Sequence, residues 1–113
     1  MTRSIPPPDF APEVPPSDVE EERALAWIGD AVLGLFAREH VLKSKGRVDA
    51  QAFKDFTSNA FLSALGRPTR VEAEIGVVYR RRGMEAAFAY IEARVVPLWR
   101  AQEAKRIRQR KPR

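Results

Sequence analysis

The sequence predicts an all-α domain, on three observations. Apolar residues recur at intervals of three and four through much of residues 24–98, the period of a helix face. No segment alternates apolar and polar residues for long enough to argue for a strand. Turn-forming residues, Gly46, Gly66 with Pro68, and Gly83, separate the periodic runs. With 113 residues the chain is long enough for one domain with a modest core.

The elements follow in order. Residues 1–18 contain prolines 6, 7, 8, 12, 15 and 16. Proline removes a backbone donor and restricts the residue before it, so this segment reads as an extended, disordered arm. Ser17 or Asp18 can cap a first helix whose opening turns hold Glu20, Glu21 and Glu22, where acids suit the helix dipole. That helix runs to about Leu42 on Leu25, Ile28, Val32, Leu35 and Phe36. The stripe is wide for a short protein, enough for a core and a partner subunit. A second helix starts after Asp49, buries Phe53, Phe56, Ala60, Phe61, Ala64 and Leu65, and stops at Gly66 and Pro68. A third starts at Thr69 with Val71, Ile75, Val78 and Tyr79. A fourth runs from Met84 through Phe88, Ile91, Val95 and Leu98, with a kink or break at Pro97. The expected organisation is an arm over 1–18, a helical domain over 19–104 and a basic tail over 105–113.

Composition removes several classes of function. The absence of cysteine excludes disulfides, thiolate zinc sites and thiol nucleophiles. A single histidine, His40, cannot build a typical zinc cluster, and near a helix C-terminus its ring can meet terminal carbonyls. No apolar stretch approaches the length of a membrane span, and no secretory signal precedes the prolines, so a cytoplasmic setting is expected. The net charge of +5 is unevenly spread. Residues 1–22 hold one basic and six acidic side chains, whereas residues 100–113 hold seven basic and one acidic. A basic tail without an apolar stripe points to RNA ahead of a membrane surface.

Two acids stand out. Asp30 lies in the apolar run ALAWIGDAVL, directly after Gly29, and shares a helical face with Ala26, Gly34 and Ala37. A buried carboxylate requires a partner, which could be a metal or an ion pair with Arg23 or Arg38. Glu72 lies in VEAEIGVV, one turn before Gly76. Thr69 and Glu72 also spell a capping box, in which Glu72 would serve only its own helix end. Glu74 points about 200° around the helix from Glu72. Together Asp30 and Glu72 could share magnesium, which takes one or two carboxylates along with water and substrate phosphates.

At this point the motifs carry a likeness. The chain resembles the catalytic domain of ribonuclease III over about residues 23–99. Gly29–Leu33 (GDAVL) matches the family's signature helix, Val71–Gly83 (VEAEIGVVYRRRG) its later glutamate motif, and Met84–Trp99 its last helix. Ser58–Leu65 (SNAFLSAL) is similar to the segment between them. The nearer likeness is to the Mini-III type, which lacks a double-stranded-RNA-binding domain and takes part in maturation of large-subunit ribosomal RNA. The resemblance implies an all-helical homodimer with magnesium cofactors and two active centres along one RNA-binding valley. It carries the metal-binding catalytic aspartate onto Asp30 and the catalytic glutamate onto Glu72.

The departures are specific. Larger members have acids where this chain has Arg23, Ala26 and Thr69, and only Gly66–Arg70 separates the second helix from the glutamate motif. Arg80, Arg81 and Arg82 replace the usual leucine-aspartate-glycine turn. These arginines, with Lys105, Arg106, Arg108, Arg110 and Lys111 of the tail, are the candidate phosphate contacts. The leading expectation is magnesium-dependent cleavage of structured RNA. The rivals are a non-catalytic RNA- or ribosome-binding protein on the same dimer, and a dimerisation module with no nucleic-acid role.

Overall fold

The structure is a computed structural model that describes residues 19–110. The expected proline-rich arm, the Ser17 or Asp18 cap and Lys111 lie outside the described residues. Among the described residues six helices follow one another: α1 (Val19–Lys45), α2 (Ala50–Thr57), α3 (Asn59–Leu62), α4 (Pro68–Arg82), α5 (Met84–Arg94) and α6 (Val96–Arg110). Among the described residues there is no strand.

Helix α1 is the spine. At 27 residues it is about 40 Å long, and it continues one turn past the expected end at Leu42. Gly46 then takes a positive φ of 74° and stops it. Val32, Leu33, Phe36 and Ala37 turn its apolar side onto α2, α4 and α5. Phe56, Leu62, Ile75, Val78, Ile91, Val95 and Val96 close the core around them.

The second expected helix is two. Asp49 caps α2 as the sequence suggests, its Oδ1 accepting from the Ala52 N–H at 3.0 Å. At Ser58 the backbone turns extended (ψ 154°), and the Ser58 Oγ accepts from the Phe61 N–H at 3.1 Å. The hydroxyl starts a new helix in place of continuing the old one. The bend brings Phe61 and Leu62 into the core while Ala60 and Ala64, expected on the buried side, are exposed.

Helix α4 starts one residue earlier than expected. Pro68 takes its first position, where the missing N–H is no loss, and Arg67 precedes it without a side-chain cap. Thr69 is therefore inside the helix, exposed, and the expected Thr69–Glu72 capping box does not form. The kink or break expected at Pro97 falls two residues earlier, at Val95, between α5 and α6. Pro97 then sits in the first turn of α6, where proline is tolerated. Because α6 continues to Arg110, the boundary expected at 104/105 falls inside a continuous helix.

Candidate functional site

Two glycines let α1 and α4 approach closely. A Cβ at Gly29 would overlap the backbone carbonyl of Glu72, and a Cβ at Gly76 would overlap the backbone carbonyl of Leu25. No other residue type permits this backbone-to-backbone crossing. The crossing brings Asp30, next to Gly29, against Glu72, one turn from Gly76.

Asp30 is exposed and Glu72 half-buried, and the two carboxyls lie close enough for Asp30 to act on the Glu72 proton. The Glu72 carboxyl is pushed up to about 7, first by burial, then by the Asp30 charge, and then by the hydrogen bond to Asp30. Glu72 therefore exchanges its proton near neutrality, well above the range of a free carboxyl.

The ion pairs open to Asp30 from the sequence are not made. Arg23 lies 3.9 Å from Glu20. Arg38 donates to the Gly34 carbonyl at 3.2 Å and stacks 4.3 Å over the Phe53 ring. Neither arginine answers the like charge of Asp30 and Glu72, and a proton on Glu72 or a divalent cation could do so. Two carboxylates are hard oxygen donors of the kind magnesium prefers. Among the described residues no group of three or more His, Asp or Glu side chains converges, so water and substrate phosphate would complete such a shell.

Glu74 is occupied elsewhere, as its angle requires. It accepts from the Tyr90 hydroxyl at 2.8 Å and lies 3.7 Å from Arg70. Arg70 and Arg67 both reach Glu22, at 3.6 and 3.0 Å. This network joins the first turns of α1 and α4 beside the carboxyl pair. Its links between helices escaped sequence reading because Glu22 is 45 and 48 positions from Arg67 and Arg70, with no local spacing to mark them. Burial and the Glu74 carboxylate together push the Tyr90 phenol above its ordinary range.

The candidate phosphate contacts divide. Arg80, Arg81 and Arg82 form the exposed last turn of α4. At about 100° per residue, Arg81 lies roughly opposite Glu72 on the helix, while Arg80 and Arg82 flank the Glu72 side at about 80°. In α6, Lys105 and Arg108 are exposed, but Arg106 turns inward to Asp55 and Glu103, at 3.6 and 2.9 Å. Arg110 is the last residue of α6.

His40 does not reach the helix terminus, because α1 extends to Lys45. Its ring stacks on Phe36 at 5.9 Å and meets Trp99 edge-on at 5.2 Å. Its Nε2 is buried without a partner, and burial holds its pKa below the ordinary imidazole value.

An apolar groove of about 570 Å³ runs along the outer side of α1 beside Asp30, lined by Trp27, Ile28, Ala31, Leu35, Tyr79 and Met84. Trp27 is 79% exposed, and Leu35 and Met84 are also exposed. The wide apolar side of α1 thus splits between the core and solvent. No described helix is long and apolar enough to cross a membrane. No family model, curated protein or solved structure matches the chain.

Proposed function

We propose that this protein is a magnesium-dependent endoribonuclease of the ribonuclease III type. Its substrate is structured or double-stranded RNA, and its setting is ribosomal RNA processing in the cytoplasm. The supporting observation is the Asp30–Glu72 pair, formed where Gly29 and Gly76 let two helix backbones meet. A carboxyl pair half exposed to solvent stores unfavourable charge, and a protein gains from that arrangement when a cation or a reaction uses it.

Asp30 and Glu72 would hold the cation. When bound, magnesium supplies Lewis-acid chemistry, polarising water and the phosphoryl oxygens. Glu72 would have to be without its proton to hold the cation, so binding should strengthen as pH rises through about 7. Arg80 and Arg82, on either flank of the Glu72 side, would contact backbone phosphates. A second copy of the chain would cover the Trp27–Leu35–Met84 face, bringing two carboxyl pairs to one duplex, one for each strand.

The second reading is a non-catalytic RNA- or ribosome-binding protein on the same fold. It is favoured by the small acid set, since only two carboxylates meet at the site among the described residues. Incubation with long double-stranded RNA separates the two. The catalytic reading expects cleavage with magnesium, weak or absent cleavage with calcium, and none from Asp30→Asn. A wild type that binds duplex but never cuts it with magnesium or manganese supports the binding protein.

A further inference from the structure

Helix α6 divides its charges between two sides. On the inner side Trp99, only 6% exposed, packs against His40 and Phe56 at ring distances of 5.2 and 5.5 Å. One turn on, the Glu103 carboxylate accepts from Lys45 Nζ at 3.2 Å and from Arg106 Nη1 at 2.9 Å. Arg106 also lies 3.6 Å from Asp55 of α2. Lys45, Asp55, Glu103 and Arg106 thus form a clasp that ties α6 to the end of α1 and to α2, and fixes its rotation.

That rotation decides what faces outward. At about 100° per residue, Arg100, Ala101, Ala104, Lys105, Ile107 and Arg108 fall within an arc of roughly 160° on the side away from Trp99. All six are exposed. Arg100, Lys105 and Arg108 make no ion pair among the described residues. Their positions span eight residues, about 12 Å along the axis. The face is a row of cations at intervals of one to two turns, with alanines that let a partner come close.

The chemistry selects the partner. A row of point charges and forks without carboxylates fits a repeating anion. The outer arc has no aromatic ring, so it offers no stacking platform for unpaired bases. Its one large apolar side chain is Ile107, too little for a helix that lies in a membrane interface. Duplex phosphate backbone remains. We infer that the outer face of α6 is a phosphate-docking surface for double-stranded RNA, remote from the carboxyl pair, and that Arg106 belongs to the clasp and not to this surface. The inference rests on the RNA reading above. Lys45, where the clasp begins, is fifteen positions from Asp30, about 22 Å along α1. Contacts at that distance act on substrate affinity and leave the chemical step alone.

The test compares the wild type, the triple variant Arg100→Gln, Lys105→Gln, Arg108→Gln, and Arg106→Gln. Each binds a short RNA duplex, the same-length single strand and phosphatidylserine vesicles across a salt series. The triple variant should melt like the wild type and bind duplex more weakly. Its log K against log salt slope should be shallower by roughly 2–3, one for each lost phosphate contact. In cleavage, KM rises and kcat holds. Arg106→Gln should melt earlier yet keep the wild-type salt slope. A wild type that does not bind duplex removes the RNA reading and this inference together. A wild type that binds duplex, with an unchanged slope in the triple variant, overturns this inference alone. Loss of single-strand or vesicle binding in the triple variant, with duplex binding intact, assigns the face to another partner.

Discussion

Asp30 and Glu72 show how much a single contact can decide. Each acid beside a small-residue face was legible in the sequence, because glycine next to a carboxylate in an apolar run is rare without a reason. Their meeting was one of two readings, a shared metal site or the Thr69–Glu72 capping box, and the start of α4 at Pro68 decides against the box. With the helix entered at Pro68, Glu72 is too far from the start to cap it and turns to Asp30. The raised Glu72 pKa has a consequence for stability. An unfolded Glu72 ionises near 4.5, while the folded one keeps its proton to about 7, so its contribution to stability falls between those values. Without metal, Glu72→Gln should therefore melt higher than the wild type at pH 8 and close to it at pH 4. Equal melting differences at both pH values would contradict the raised Glu72 pKa.

His40 has the opposite sign. Burial lowers its folded pKa, so an unfolded chain takes up a proton below about 6.5 that the folded one resists. The stability it contributes is complete above that value and is lost as pH falls below it. His40→Phe keeps a ring among Phe36, Phe56 and Trp99 and removes the unpaired Nε2. It should stabilise by about 1 kcal/mol at pH 7, and by more at pH 5.5, in urea titrations at the two pH values.

Among the elements, the crossing of α1 and α4 is the most demanding. Gly29→Ala would put a methyl into the Glu72 carbonyl, and backbone on both sides cannot yield. Such overpacking should cost about 3 kcal/mol or more, and part the carboxyl pair. Gly34→Ala is the control on the same helix. Its Cβ meets only the flexible end of Arg38, at 3.2 Å, so the gain in helix propensity, up to about 1 kcal/mol, should prevail. A Gly29→Ala denaturant midpoint at or above that of the wild type would show that the crossing does not need its glycine. The helix periods and most stops were readable here, because they are local. The break at Ser58 was not: a serine hydroxyl favours either a continuing helix or a new cap, and the burial of Phe61 and Leu62 chooses the cap. The inward turn of Arg106 was hidden for the same reason, since Asp55 and Arg106 are 51 positions apart.

For the whole molecule, the apolar groove beside Asp30 is the feature that the single chain leaves unexplained. Trp27 projects from α1 with 79% of its surface in solvent, next to exposed Leu35 and Met84. The proposed dimer buries it, so light scattering at tens of micromolar should give twice the mass of one chain. Trp27→Glu should give a single-chain mass with an unchanged helical circular dichroism spectrum, because Trp27 contributes little to the core. A wild type that stays monomeric at that concentration would remove both the dimer and two-strand cleavage.

The central claim is that Asp30 and Glu72 share a divalent cation that cleaves RNA. The most direct measurement is a magnesium titration at pH 8, reading thermal melting and cleavage of long double-stranded RNA together, for the wild type, Asp30→Asn and Glu72→Gln. Magnesium should raise the wild-type melting temperature, by relieving the paired charge, and switch on cleavage over the same concentrations. In each variant the magnesium shift should shrink and cleavage disappear, while duplex binding stays near the wild-type value. A magnesium effect on melting that is equal in all three proteins, with no cleavage by the wild type, would contradict the account.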